Sequence, residues 1–150
     1  MHMHSRADVV DTVSRLFQAL DSHDWHTIEG LTVDIVDVGY PSKEAGPARM
    51  SRNDLVSELK RFLPGFSATH HLVGGCVVDL IGDDGARARV DVCVTHVIDT
   101  LTPPSWTIGV QYDIRLLRVV DRWVIQGTTS RTLYEEGNRA LQAEARKRAA

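Results

Sequence analysis

Cysteine is scarce in this chain: Cys76 and Cys93 are the only two among 150 residues. That excludes the disulfide framework of a small secreted domain. It is read as a pair of buried thiols in a reducing, cytoplasmic setting. No apolar run approaches the length of a membrane span. Met1-His2-Met3-His4 lacks the apolar core of a signal peptide, and residues 1–5 are read as an unstructured start or an expression remnant. There is no basic block and the formal charge is −3, so nucleic acid is not an expected partner. Also missing are a glycine-rich phosphate loop, a G-x-S-x-G elbow, a cysteine-nucleophile motif and a four-cysteine zinc pattern. None of these motifs therefore offers a metal or a cofactor site. Without repeats or linkers, the chain reads as one domain over residues 6–134, followed by a charged helix or tail over 135–150. Its length suffices for a proper core.

What is present is patterned. Ser5-Arg6-Ala7-Asp8 has the form of a capping box, and Val9, Val13, Leu16, Phe17 and Leu20 follow at helical spacing. A first amphipathic helix is therefore expected, ending at Asp21-Ser22-His23-Asp24. A short helix over Trp25 to Leu31 and a strand over Thr32 to Tyr40 come next. Pro41 to Pro47 reads as a loop. Ser51-Arg52-Asn53-Asp54 caps a further helix that stops before Pro64-Gly65. Four long strands complete the domain. The last two are Trp106 to Val120 and Trp123 to Leu133, joined by a tight turn at Asp121-Arg122, with a bend or bulge at Gly127. Helices on one face of a curved antiparallel sheet make an α+β fold, with a ligand-sized pocket between the layers.

The first two long strands carry the histidines. Asp-Gly between alternating apolar runs signals a hairpin. With Asp84-Gly85 as the loop, His96 falls opposite Val73 and His71 opposite Ile98. Period-two alternation then puts both imidazoles on one face, as diagonal neighbours about 7–8 Å apart between Cα atoms. The same face collects Val73, Val77, Ile81, Ala88, Val90, Val92 and Val94, while Arg87, Arg89 and Asp91 take the other. In this register Cys76 and Cys93 are cross-strand partners. Asp79 is the misfit on the apolar face, and a bulge is expected near it.

Each chemical candidate has a plain structural reading beside the functional one. Asp21 stands at the edge of the first helix's apolar stripe. It is either a solvated helix-end carboxylate, a cap for the next helix, or the group that orients His71. A carboxylate on one ring nitrogen fixes the tautomer and leaves the other nitrogen a better base. His71 and His96 are satisfied core histidines or a working pair. Tyr40 and Tyr112 are packed aromatics or phenols aimed at a carbonyl. His70 must point away from His71, so this adjacent pair is a poor metal site, and a two-histidine metal centre completed by Asp21 is the weakest of the alternatives.

Three segments carry a resemblance. Asp21-Ser22-His23-Asp24-Trp25 and Thr69-His70-His71-Leu72-Val73-Gly74-Gly75, with Tyr40 and His96 at matching distances along the chain, resemble the SnoaL-like proteins of the NTF2-like superfamily. Among these they are most similar to the scytalone dehydratases. The resemblance implies a cone-shaped α+β barrel with helices on the concave side of the sheet, and a cofactor-free elimination of water. It implies His71 as base, Asp21 as its orienter, Tyr40 polarising a carbonyl, and His96 holding the leaving hydroxyl or a water. The same Asp–His pair is similar to that of a hexachlorocyclohexane dehydrochlorinase of the superfamily, which extends the implied leaving groups to chloride. Leu20 stands where the dehydratases have tyrosine. Val110 and Tyr112 stand where they have serine and asparagine. With Val73 and Trp106, these residues form the implied substrate wall. It favours an apolar, cyclic or polyketide-like small molecule over scytalone itself.

Three functions follow as expectations: a dehydratase-like lyase, an isomerase or cyclase using the same base, and a non-catalytic ligand-binding or assembly domain. A homo-oligomer, dimer or trimer, is expected through the uncovered sheet face. Contact between Asp21 and His71 separates catalysis from mere binding.

Overall fold

A computed structural model describes residues 6–39 and 48–150. Helix α1 (Arg6–Ser22) is followed by α2 (Trp25–Gly30), strands β1 (Thr32–Gly39) and β2 (Ala48–Ser51), and helix α3 (Arg52–Lys60). After a single 3₁₀ turn over Leu63–Gly65 come four long strands: β3 (Ala68–Ile81), β4 (Gly85–Val97), β5 (Ser105–Val119) and β6 (Arg122–Gly137). Helix α4 (Ala140–Ala149) ends the chain.

The α+β class holds. The strands form one open sheet in the order β2-β1-β6-β5-β4-β3. It departs from the expected all-antiparallel sheet at one pair, since β1 runs parallel to β6. The short strand β2, unforeseen in the sequence, pairs with β1. It consists of the four residues Ala-Arg-Met-Ser, too few to show an alternating pattern.

Helix α1 lies across the sheet because its apolar stripe must leave water. Val9, Val13 and Phe17 are buried to 0–2% exposure against Val90, Val92 and Val94 of β4 and Val110 and Ile114 of β5. Each such side chain contributes roughly 1.5–3 kcal/mol by burial. Strand β4 alternates as the sequence requires. Ala86, Ala88, Val90, Val92, Val94 and His96 point inward, and Arg87, Arg89 and Asp91 outward.

The β3–β4 register differs from the expected one in two places. The loop is Gly82-Asp83-Asp84, closed by Ile81 opposite Gly85, instead of Asp84-Gly85. Gly82 takes the left-handed conformation, φ 62°, which glycine adopts at little cost. Arg118 of β5 holds this loop: its backbone N–H donates to the Asp84 carbonyl and its guanidinium to the Asp83 carbonyl. The second difference is a bulge at Gly74-Gly75, between the pairs Val73–Val92 and Cys76–Val90, and not near Asp79. Beyond it the faces exchange. Val78 is buried, whereas Val77 and Ile81, expected inside, are exposed. Asp79 is thereby turned outward to Arg89. Cys93 pairs with Leu72 and Cys76 with Val90, so the cysteines are not partners and both thiols are free.

At the other end of the hairpin the differences cancel in parity. His71 lies opposite Val94 instead of Ile98, and His96 opposite Thr69 instead of Val73. The displacement is even, so both histidines stay on one face as diagonal neighbours.

Two smaller corrections concern β6. Its turn from β5 is Val120-Asp121, one residue earlier than Asp121-Arg122. The strand also runs on to Gly137, so the helix expected from Glu135 begins only at Ala140. That helix is docked: Leu141 and Ala145 are fully buried with Phe66, Ile98 and Trp106. Among the described residues, no helix is long and apolar enough to cross a membrane.

Candidate active site

Asp21 sits in the last turn of α1, which ends where His23 adopts a left-handed backbone, φ 54°. The capping of α2, one of the readings open for Asp21, falls to Asp24. Its carboxylate accepts from the Thr27 N–H at 3.1 Å and the Thr27 hydroxyl at 2.6 Å. Asp21 is therefore free to face β3. Its Oδ1 lies 2.6 Å from His71 Nδ1, and its Oδ2 accepts the His71 backbone N–H at 2.8 Å. The Thr69 hydroxyl donates to Oδ1 at 3.1 Å. A carboxylate at a helix C-terminus meets the unfavourable end of the dipole, and these three donors offset that. Burial by itself raises the Asp21 pKa. The hydrogen bonds from the His71 ring and backbone, the His71 charge and the Thr69 hydroxyl together outweigh it, and the net shift is downward. The carboxylate is thus ionised, and Nδ1 of the ring carries a proton toward it. In the neutral imidazole, Nε2 then keeps its lone pair. Phe17 stacks on the ring, 5.4 Å between centroids, and the His71 side chain is only 7% exposed.

His96 is 5% exposed. It is layered between Trp106, at 4.2 Å and 22°, and Phe66, at 4.9 Å. Its Nδ1 lies 3.0 Å from the Trp106 carbonyl, which only accepts, so Nδ1 is the protonated nitrogen. Burial drives its pKa down to about 4, against a smaller upward pull from that carbonyl. At neutral pH His96 is therefore an uncharged ring whose Nε2 accepts and does not donate.

The remaining assigned residues divide. Leu20, Val73 and Tyr112 pack around the core that contains Phe17 and Val110, and Tyr112 meets Phe17 edge to face at 5.2 Å. Trp106 belongs to the cluster beside His96, and Ile108 touches both groups. A groove of about 470 Å³ opens beside the dyad between α1 and β3. Of the five expected wall residues, Val73 borders it, together with Ser14, Phe17, Gln18, Asp21 and His71. Leu20, Val110, Tyr112 and Trp106 do not line it. Tyr40 lies outside the described residues. No group of three or more histidine, cysteine, aspartate or glutamate side chains gathers in metal-binding range among the described residues.

The sequence assigned no role in the site to Thr69, Phe17 or Phe66, although Phe17 was placed in the apolar stripe of the first helix and Thr69 in a segment that carries the resemblance. Thr69 was legible in principle, because it stands two residues before His71 and so shares its face. The two phenylalanines come from other elements, and no local pattern ties them to the histidines.

The family model of a SnoaL-like domain matches residues 1–129. No curated protein matches the sequence. Among solved structures, the Kfla4162 protein of Kribbella flavida superposes with a TM-score of 0.82 at 23% identity, covering 92% of this chain and 96% of that one. A candidate scytalone dehydratase of Novosphingobium aromaticivorans gives 0.74 at 18%, covering 88% and 86%. The hexachlorocyclohexane dehydrochlorinase LinA-type3 of Novosphingobium barchaimii gives 0.72 at 16%, covering 89% and 90%. At these identities the likeness is one of fold.

Proposed function

Because this chain belongs to the SnoaL-like domain family, we propose that it is a cofactor-independent lyase that eliminates water from a small cyclic hydroxy-ketone or polyketide-like substrate. The observation that carries the proposal is the 2.6 Å contact between Asp21 and His71 Nδ1, which directs the free lone pair to Nε2. In this reading Nε2 removes a proton from the carbon next to the carbonyl. The electrons of the broken C–H bond form the new C=C bond, the adjacent C–OH bond breaks, and the departing hydroxide takes a proton to leave as water. Asp21 stabilises the imidazolium formed in between and holds the ring in place. His96 accepts a hydrogen bond from the substrate hydroxyl or a water and orients it. Tyr40 is assigned the carbonyl. Support also comes from the fold neighbours, a candidate scytalone dehydratase and hexachlorocyclohexane dehydrochlorinases, whose names denote eliminations.

A second reading is favoured by the state of His96. As an acceptor only, it cannot protonate a leaving hydroxyl, and His71 itself must return the proton. An isomerase or cyclase needs that same single-base shuttle and no leaving group. The two readings part in one experiment. Cyclic hydroxy-ketones incubated with the protein in D₂O are followed by NMR. Deuterium entering the carbon next to the carbonyl, abolished by His71→Ala, supports the base. Accompanying loss of water identifies the lyase, and rearrangement at constant mass the isomerase. No exchange with any substrate that binds would leave a ligand-binding domain.

A further inference from the structure

The Asp21 carboxylate is exposed enough, 20% of its side chain, to swing toward water at the end of α1. What keeps it on β3 is not the imidazole alone. Thr69 is buried, 9% exposed, on the same face of β3 as His71 and directly opposite His96 on β4. Its hydroxyl reaches Asp21 Oδ1 at 3.1 Å, the same oxygen that His71 Nδ1 meets at 2.6 Å, while Oδ2 takes the His71 backbone N–H at 2.8 Å. Two donors on one oxygen and one on the other remove the freedom of the carboxylate to rotate. A buried threonine in a strand needs no function beyond β-propensity. Here, however, the hydroxyl is spent on the one carboxylate that touches the histidine.

We infer that Thr69 is the positioning residue of the dyad, holding Asp21 in the orientation in which its carboxylate meets both the ring and the backbone of His71. The inference rests on reading Asp21 and His71 as the general-base pair, but its test does not need a substrate. The titratable groups around the site are Asp21 from α1, His71 from β3, His96 from β4 and Tyr112 from β5, with His70 on the opposite face of β3. Only Asp21 receives the Thr69 hydroxyl.

The test uses the full-length protein as wild type, Thr69→Ser, Thr69→Val and Thr69→Ala. Carbon-13 NMR follows the Asp21 carboxyl through acid titration, and proton NMR follows the His71 Nδ1–H. Removing a donor from the charged form raises a carboxyl midpoint. Thr69→Val and Thr69→Ala should raise that of Asp21 by about half a unit and weaken or abolish the hydrogen-bonded Nδ1–H signal. Thr69→Ser should match wild type in both. Circular dichroism identifies a variant that has not folded, and the alanine variant stands in for valine if so. An unchanged Asp21 midpoint and Nδ1–H in a folded, donor-less variant would overturn the inference. With an active substrate, kcat should fall about tenfold in Thr69→Val at a KM within twofold, with recovery in Thr69→Ser. If the midpoint moves and kcat does not, the positioning role stands and the general-base reading falls.

Discussion

His96 shows how one buried ring couples the site to pH. Its folded pKa, about 4, lies below the ordinary imidazole value of 6.5, so the unfolded chain takes up the proton first. The stability tied to the neutral ring is complete above about pH 6.5 and is lost as pH falls toward 4. The whole shift corresponds to roughly 3 kcal/mol. Asp21, whose pKa is depressed, adds a loss at still lower pH, as it is protonated. His96→Asn keeps an N–H for the Trp106 carbonyl and removes the titration. Between pH 7.5 and pH 5, urea unfolding of wild type should lose about 2 kcal/mol more than the variant; equal losses would contradict the assigned state of the ring. At this scale the sequence was informative about His71 and His96, because period-two alternation puts them on one face, whereas Asp21 was tied to His71 only by the resemblance of its segment to the SnoaL-like proteins, its helical spacing leaving a solvated helix end equally open. It could not reveal that Trp106 and Phe66 enclose His96, since that depends on how β5 and the segment after α3 fold back.

Among the elements, helices and long strands were legible from periodicity, and the errors fell at turns and bulges. Asp84-Gly85 has the composition of a hairpin loop, but the Arg118 contacts to the Asp83 and Asp84 carbonyls favour the longer loop Gly82-Asp83-Asp84, which starts two positions earlier. The Gly74-Gly75 bulge leaves no mark on local alternation until Val77 and Ile81 prove exposed. The Val120-Asp121 turn puts a β-branched residue at φ 58°, 82% exposed, where a left-handed backbone costs about 1–2 kcal/mol. Val120→Gly should raise stability by about 1 kcal/mol, after the entropic cost of glycine; a lower melting temperature would count against this turn. Helix α4 is held by close approach. A Cβ at Gly65 would run into the backbone carbonyl of Ala145, so Gly65→Ala should push the helix away and destabilise by about 1–3 kcal/mol. A melting temperature equal to wild type would mean that α4 does not dock on the 3₁₀ turn.

For the whole molecule, the helices cover one face of the sheet and leave the other open. Leu72, Cys93, Gly109 and Tyr134 stand in register across β3, β4, β5 and β6 on that outer face. Leu72 and Tyr134 are about half exposed, as is Val77 nearby. Arginine–carboxylate pairs, Arg87–Asp113 and Arg89–Asp79, lie on one side of this row, toward the β3–β4 loop. We propose that this face joins copies of the chain into a dimer or trimer. Sedimentation at micromolar concentration should show the oligomer for wild type and a monomer for Leu72→Glu, and a monomeric wild type would refute it. The fold class was legible in the order of elements, whereas the open sheet edges and the parallel β1–β6 pair emerge only from tertiary pairing. The central claim, that Asp21 and His71 act as one general base, is tested most directly by kcat for a turned-over cyclic hydroxy-ketone in wild type, Asp21→Asn, His71→Ala and the double variant. Each single change should lower kcat about 10²–10⁴-fold, and the double variant should be little worse than His71→Ala alone. A His71→Ala variant as fast as wild type, or losses that multiply in the double variant, would contradict it.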